Sequence, residues 1–270
     1  MIIELFGPPG SGKTTFAHEL ARHLHESGYS VKVMRSNPRR TVQSQFDRYG
    51  ILYFIYRICS AFAHTTYAIA TSPMAQAEIK ISGDLVKIMP PSQMIWRIRL
   101  WQYIVKLSRR WNAARTSKDI IIFDQGFVQA IVSLAIFNGA ADEALLSAAL
   151  DLAPPADFVI RLLAPRDIVE MRLRKRMQHG SKAAQLLEVK IATNMESFKI
   201  FEDVNRAASK TRRVILPIEP LDHESTQRCI GLVEKIISNS LNGLDPDRST
   251  EKASAANEND IETITDGNSQ

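Results

Sequence analysis

The nine residues GPPGSGKTT at positions 7–15 place glycine, lysine and threonine at a spacing suited to phosphate chemistry. Gly7 and Gly12 are separated by four residues and followed at once by Lys13 and Thr14, the P-loop pattern. Glycine at these points lets the backbone curl so that successive N–H groups point inward at phosphate oxygens. The expected cradle is Gly7, Pro8, Pro9, Gly10, Ser11, Gly12, Lys13, Thr14 and Thr15, with Lys13 a solvated charge until phosphate arrives.

A second candidate lies in KDIIIFDQG. Ile120 to Phe123 are apolar and Asp124 follows them, at the end of a strand where ligands bind in open parallel sheets. From there a carboxylate reaches a metal on bound phosphates, directly or through water. A third lies in ADFVIRLLAPRDIVEMRLRKRMQHG, where Arg172, Lys175, Arg176 and His179 share one helical face. Such a face is often only solvated. After a strand in a protein with a P-loop it reads as a basic lid over residues 172–182, supplying cations where charge spreads over a transferring phosphoryl group.

These groups need a scaffold. Residues 2–6 are short and apolar, as a buried strand requires, and Phe16, Leu20 and Leu24 with Ala17 and Ala21 mark one face of a helix that Gly28 stops. Such a helix directs its positive dipole end at the loop. Strands are expected at about 2–6, 30–35, 119–124, 157–163 and 213–217, each followed by helix. The economical arrangement is an α/β, five-stranded parallel sheet with helices on both faces and right-handed crossovers. Residues 41–116 form an inserted helical layer. Within it, Met94, Ile98, Trp101, Ile104 and Val105 make an apolar stripe of a helix from about Pro91 to Arg115, with Arg99, Gln102, Lys106, Arg109 and Arg110 beside it. Trp96, Trp101 and Trp111 read as core or interface rather than a base-stacking platform.

Residues 51–70, ILYFIYRICSAFAHTTYAIA, have the length of a membrane span, but Arg57 and His64 lie inside and Pro73 closes the stretch. An arginine at mid-bilayer depth costs about 2.5–3.5 kcal/mol even on a lenient scale, so a buried helix is expected and no membrane span. The chain of 270 residues, 45% hydrophobic, can bury a full core. Cys59 and Cys229 give no disulfide framework or metal spacing, which fits a reduced cytoplasm, and no charged-then-apolar leader precedes the P-loop.

The formal charge of +5 is uneven: from Asp245 onward the chain carries seven acidic and two basic residues, so a tail of −5 leaves +10 on the body. A basic body suits an anionic partner. The basic clusters lack interleaved aromatics, so a nucleotide with a phosphorylated acceptor is favoured and no nucleic acid is expected. Residues 242–270, small, polar and free of aromatics, read as a disordered acidic tail behind a domain over 1–241.

Taken together, GPPGSGKTT, the strand ending in FDQG, the strand-proline-helix unit with its Arg172/Arg176 pair, and the strand VILPIEP followed by a helix resemble the thymidylate kinase and deoxynucleoside kinase branch of P-loop kinases over roughly residues 1–240. The resemblance implies ATP and Mg²⁺ as cofactors. Lys13 and the loop amides would hold the β- and γ-phosphates, Thr14 and Asp124 would attend the metal, and Arg172 and Arg176 would neutralise the transferring group. Ile218 to Asp222 would border adenine. Two departures stand out: Gln125 replaces the arginine usual after the strand-end aspartate, and VKVMRSNPRR offers Arg35, Arg39 and Arg40 where deoxynucleoside kinases place a carboxylate. Arg35, Arg39, Arg40 and Gln125 are therefore candidate acceptor-binding residues, and an acceptor that already bears an anion suits them better than a neutral nucleoside.

Three functions follow. The first is a kinase of a small anionic acceptor, a nucleoside monophosphate ranking first. The second is a kinase of a sugar, antibiotic or cell-wall precursor. The third is an NTP-driven regulatory or binding protein. A cytoplasmic location and a small-molecule partner go with the first, and a homodimer is left open.

Overall fold

A computed structural model describes residues 1–35, 73–139, 142–178, 191–211 and 213–243. The buried helix expected at 51–70, Arg39, Arg40, residues 179–182 of the expected lid and residues 244–270 of the acidic tail lie outside the described residues.

Five strands, β1 (Ile2–Phe6), β2 (Val31–Met34), β3 (Ile120–Phe123), β4 (Phe158–Leu162) and β5 (Ile215–Ile218), form one sheet in the order β2-β3-β1-β4-β5. Every pairing is parallel, with Ile3 opposite Ile122 and Leu5 opposite Ile160. β1 leads into the phosphate loop and is central because all five of its residues tolerate burial. The expected strands at 30–35 and 213–217 are shorter or displaced, as edge strands with one neighbour to fix them can be. Pro217, which has no N–H for the ladder, is accommodated because β5 is an edge.

Alternation along the strands assigns the two faces. Ile2, Phe6, Ile121, Phe123 and Val159 join one large apolar core. The helices α2 (Pro73–Ile88), α3 (Met94–Arg115), α4 (Phe127–Asn138), α5 (Glu143–Leu152) and α7 (Ile191–Ser209) contribute Leu85, Ile104, Val128, Leu146 and Val204 to it. On the other face Ile3, Leu5, Ile122 and Ile160 are buried, as are Phe16, Leu20 and Leu24 of α1 (Lys13–Glu26), which packs along β1 and β3. α6 (Arg166–Gln178) follows β4.

α2 and α3 are the described part of the expected insertion; they pack on each other, α3 also on α4 and α2 on α5. The buried residues of α3 are Leu100, Ile104, Val105, Leu107, Ser108, Trp111 and Ala114, which keep Ile104 and Val105 of the expected stripe but turn away from its start, where Met94 is 67% exposed. Spacings of four and three residues suit either stripe. The aromatic rings decide: Trp111 is fully buried with its ring centroid 4.7 Å from Phe123 and 5.1 Å from Phe127. Trp96 stacks on Phe137 at 4.1 Å.

The chain divides into two compact units, residues 1–221 and 222–270. The second opens with α8 (His223–Gly243), whose start is fixed by reciprocal bonds: the Ser225 amide donates to Asp222 Oδ1 at 2.7 Å and the Asp222 amide to Ser225 Oγ at 3.0 Å.

Candidate functional site

The chain leaves β1 at Phe6 and turns through the glycine-rich loop into α1. Gly7 has φ +152°, and a Cβ there would lie 2.5 Å from the Leu162 carbonyl oxygen, so the loop crosses β4 at a distance only glycine allows. Gly10 and Gly12 have φ +85° and +95°. Gly12 precedes α1 and its carbonyl accepts from Phe16 N–H at 2.9 Å, so the helix begins at Lys13. Ser11 Oγ is buried without a hydrogen-bond partner among the described residues.

Lys13 is not solvated as the sequence suggested. It is 8% exposed, and Nζ donates to the carbonyls of Gly7 at 2.6 Å and Pro8 at 2.9 Å. A buried ammonium needs acceptors, and the curled loop presents two of its own. Thr14 Oγ1 donates to Asp124 Oδ2 at 3.3 Å, which brings the loop and the end of β3 together. Asp124 is 3% exposed, and its amide donates to the Met34 carbonyl at 3.3 Å. The hydroxyl and carboxylate form a pair of oxygen donors of the kind a hard divalent cation takes.

α6 lies directly on the loop. A Cβ on Gly10 would meet Val169 O at 3.4 Å and Leu173 Cγ at 3.6 Å, and Arg172 Nη1 donates to the Gly10 carbonyl at 3.1 Å. One of the two expected lid arginines is thus already against the loop. Arg176 is one turn farther along α6, and its side chain lies outside the described residues.

On the acceptor side, Arg35 follows β2. Its carbonyl accepts from Arg110 Nη1 at 2.7 Å, while its Nε is buried without a partner among the described residues. The Gln125 carbonyl accepts from Tyr103 Oη at 3.3 Å, and the neighbouring Gln102 Nε2 is likewise buried and unpartnered. Burial pushes the Tyr103 phenol well up, and the carboxylates of Glu4 and Asp124 add to this, so it stays a hydrogen-bond donor. Two residues of α3 thus each hold a strand end: Arg110 the carbonyl of Arg35 after β2, and Tyr103 the carbonyl of Gln125 after β3.

Two residues beneath the loop escaped the sequence reading. Glu4 is 1% exposed in the middle of β1, and its Oε1 accepts from the amides of Val128 at 2.5 Å and Gln129 at 3.3 Å. It thereby takes up N–H groups left open at the start of α4. Burial raises its carboxyl to about 7, against the lowering effect of those amides and of Arg213. Gly126 has no freedom to be anything larger, since a Cβ there would sit 2.4 Å from Glu4 Cδ. Gln129, 8% exposed, accepts from the Gly7 amide at 3.2 Å. The available signal was a lone carboxylate within an otherwise apolar central strand.

Among the described residues no cluster of three His, Cys, Asp or Glu could hold a metal, and no helix is long and apolar enough to cross a membrane.

A family model described as chromatin associated protein KTI12 matches residues 1–50, less than a fifth of the chain. No curated protein matches. Among solved structures, a deoxyadenosine kinase from M. mycoides with products dCMP and a flexible dCDP bound is similar over 88% of this chain and 100% of its own, with TM-score 0.50 and 15% identity. The same enzyme with bound dCTP gives TM-score 0.46 and 17% identity over 88% and 100% of the two chains. The first likeness, together with the sheet order, establishes a P-loop kinase-like α/β fold.

Proposed function

We propose that this chain is an ATP- and Mg²⁺-dependent phosphotransferase that moves the γ-phosphate to a small anionic acceptor, a nucleoside monophosphate first among candidates. The observation that carries this reading is the convergence of Lys13, the Thr14–Asp124 pair and Arg172 on one glycine-rich loop. The residues present suit a nucleotide. Three glycines open the backbone, the orphaned Ser11 Oγ sits inside the loop, and two cationic side chains rest on loop carbonyls. Mg²⁺ would be held by Thr14 and Asp124 and would supply charge neutralisation at the phosphates.

Each chain residue then has a defined task. The loop amides and Lys13 bind phosphate oxygens. Arg172, a planar fork of donors, offsets charge on the transferring group and is held near it by Gly10. Arg176 adds a second cation from the same helix. Arg35 and Arg110, with Arg39 and Arg40 on the segment that follows β2, recognise the anion of the acceptor, and Gln125 faces it as a neutral group. With no acidic residue among positions 31–40 to deprotonate a hydroxyl, an acceptor that brings its own phosphate oxygen as nucleophile fits this arrangement. A reduced, cytoplasmic setting goes with this function.

A second reading, an NTP-driven regulatory protein, is favoured by the match of residues 1–50 to the chromatin-associated family. ATP turnover separates the two. A kinase hydrolyses ATP slowly until a small acceptor is supplied, whereas a regulatory NTPase responds to a macromolecule and ignores small acceptors.

A further inference from the structure

Resting on the nucleotide reading above, the geometry points to Gln129 as a positioning residue of the phosphate loop, one that fixes the loop's entry through the Gly7 amide and thereby sets where Lys13 lies. Gln129 is the third residue of α4, a helix otherwise made almost wholly of apolar residues. A nearly buried amide in such a helix must find partners. Its Oε1 receives the Gly7 N–H, and its own backbone N–H is received by Glu4.

Gly7 is the residue through which this arrangement reaches the chemistry. Its amide is held by Gln129, it runs so close to β4 that a Cβ on it would lie 2.5 Å from the Leu162 carbonyl oxygen, and its own carbonyl accepts from Lys13 Nζ. The path therefore runs without a gap from the interior of β1, through Glu4 and the first turn of α4, to Gln129, Gly7 and Lys13. The same helix starts directly behind the turn Asp124-Gln125-Gly126, and Glu4 packs against Gly126 within that turn. The lysine side and the carboxylate side of the site thus share one support. Without an acceptor at position 129 the Gly7 amide is buried and unpaired, and the loop regains its freedom.

The test compares Gln129→Met, which keeps length and removes the acceptor, with Gln129→Glu, which keeps an oxygen acceptor. Two measurements are made on the full chain: amide hydrogen exchange of peptides spanning residues 6–14 against peptides of β3 and β4, and affinity for a fluorescent ATP analogue with Mg²⁺. Gln129→Met should speed exchange in the loop by about tenfold or more and weaken the analogue by a similar factor, the loss of one buried hydrogen bond, while the strands stay protected. Gln129→Glu should return loop exchange to within about threefold of wild type. The inference is overturned if Gln129→Met leaves the loop unchanged, if loop and strands loosen equally, or if the glutamate variant behaves like the methionine one. Wild-type protein that binds no ATP analogue would overturn the nucleotide reading, and the exchange data would still decide the role of Gln129.

Discussion

The ammonium of Lys13 lies 2.6 Å from the carbonyl oxygen of Gly7, six residues back along its own loop. The lysine of the glycine-rich loop is therefore held by the loop's own backbone, with the Pro8 carbonyl as a second acceptor at 2.9 Å. In the proposed function phosphate oxygens would replace these carbonyls, and a charge already desolvated would give up little water in the exchange.

Replacing Lys13 by alanine should lower phosphoryl transfer by at least about a hundredfold, equivalent to about 3 kcal/mol of transition-state stabilisation, as for other preorganised groups at developing charge. The fold should survive, since the loop carbonyls can take water instead. Steady-state transfer and a thermal melt measure the two effects separately. Wild-type rates in the variant would remove Lys13 from the mechanism.

Asp124→Asn keeps the shape that Thr14 Oγ1 meets but substitutes a neutral amide for a carboxylate, a poorer ligand for a hard cation. The Mg²⁺ concentration needed for half-maximal rate should rise about tenfold or more, and the rate should stay low at saturation. An unchanged Mg²⁺ titration would reduce Asp124 to a strand-closing residue.

Arg172 Nη1 donates to the Gly10 carbonyl, so the helix that carries the expected lid already touches the loop. Arg172→Ala should lower kcat far more than it raises KM for ATP, the mark of an interaction strongest in the transition state. Lysine at 172 should recover only part, having a point charge in place of a planar fork. Loss confined to KM would make Arg172 a ground-state contact. Arg176→Ala should fall in the same class if it joins Arg172 at the phosphates.

Glu4 gives the protein a pH signature. Its folded-state carboxyl is raised from 4.5 to about 7, so its favourable contribution is complete below about pH 4.5 and is lost as pH rises through about 7. A rise from 4.5 to about 7 corresponds to about 3 kcal/mol. Urea unfolding should show the wild type losing stability from about pH 4.5 to pH 7 relative to Glu4→Gln and levelling off above that, with a flatter profile in the variant. Parallel profiles would mean that Glu4 titrates at an ordinary value in the folded state.

How far the sequence reaches depends on the range of the forces involved. The phosphate loop, β1, α1, β3 and Asp124 are legible because local backbone demands and short apolar runs set them: Gly7 needs its φ, and Ile120–Phe123 can only be a buried strand. The sheet follows from the order of the elements. Of the stripe expected on α3, Ile104 and Val105 are buried and Met94 is exposed, because helical spacing alone admits two overlapping faces and the choice falls to the Trp111, Phe123 and Phe127 rings, which are brought together only by the fold. Glu4 and Gln129 were missed for the same reason, since Val128, Gln129 and Gly7 come from segments more than a hundred residues apart in sequence from their partners. The placing of Lys13 against Gly7 is local, yet charge alone suggested solvent, and only the closed curl of the loop shows otherwise.

The most direct measurement follows label from the γ-phosphate of ATP, with Mg²⁺, into a panel of nucleoside monophosphates, nucleosides and phosphorylated or neutral sugars, with the Lys13→Ala variant as control. The expected result is labelled product from one class of small anionic acceptor, a nucleoside monophosphate first, and none from the variant. Label that reaches no small acceptor, with ATP turnover rising only when a macromolecule is added, would contradict the phosphotransferase function and favour a regulatory NTPase.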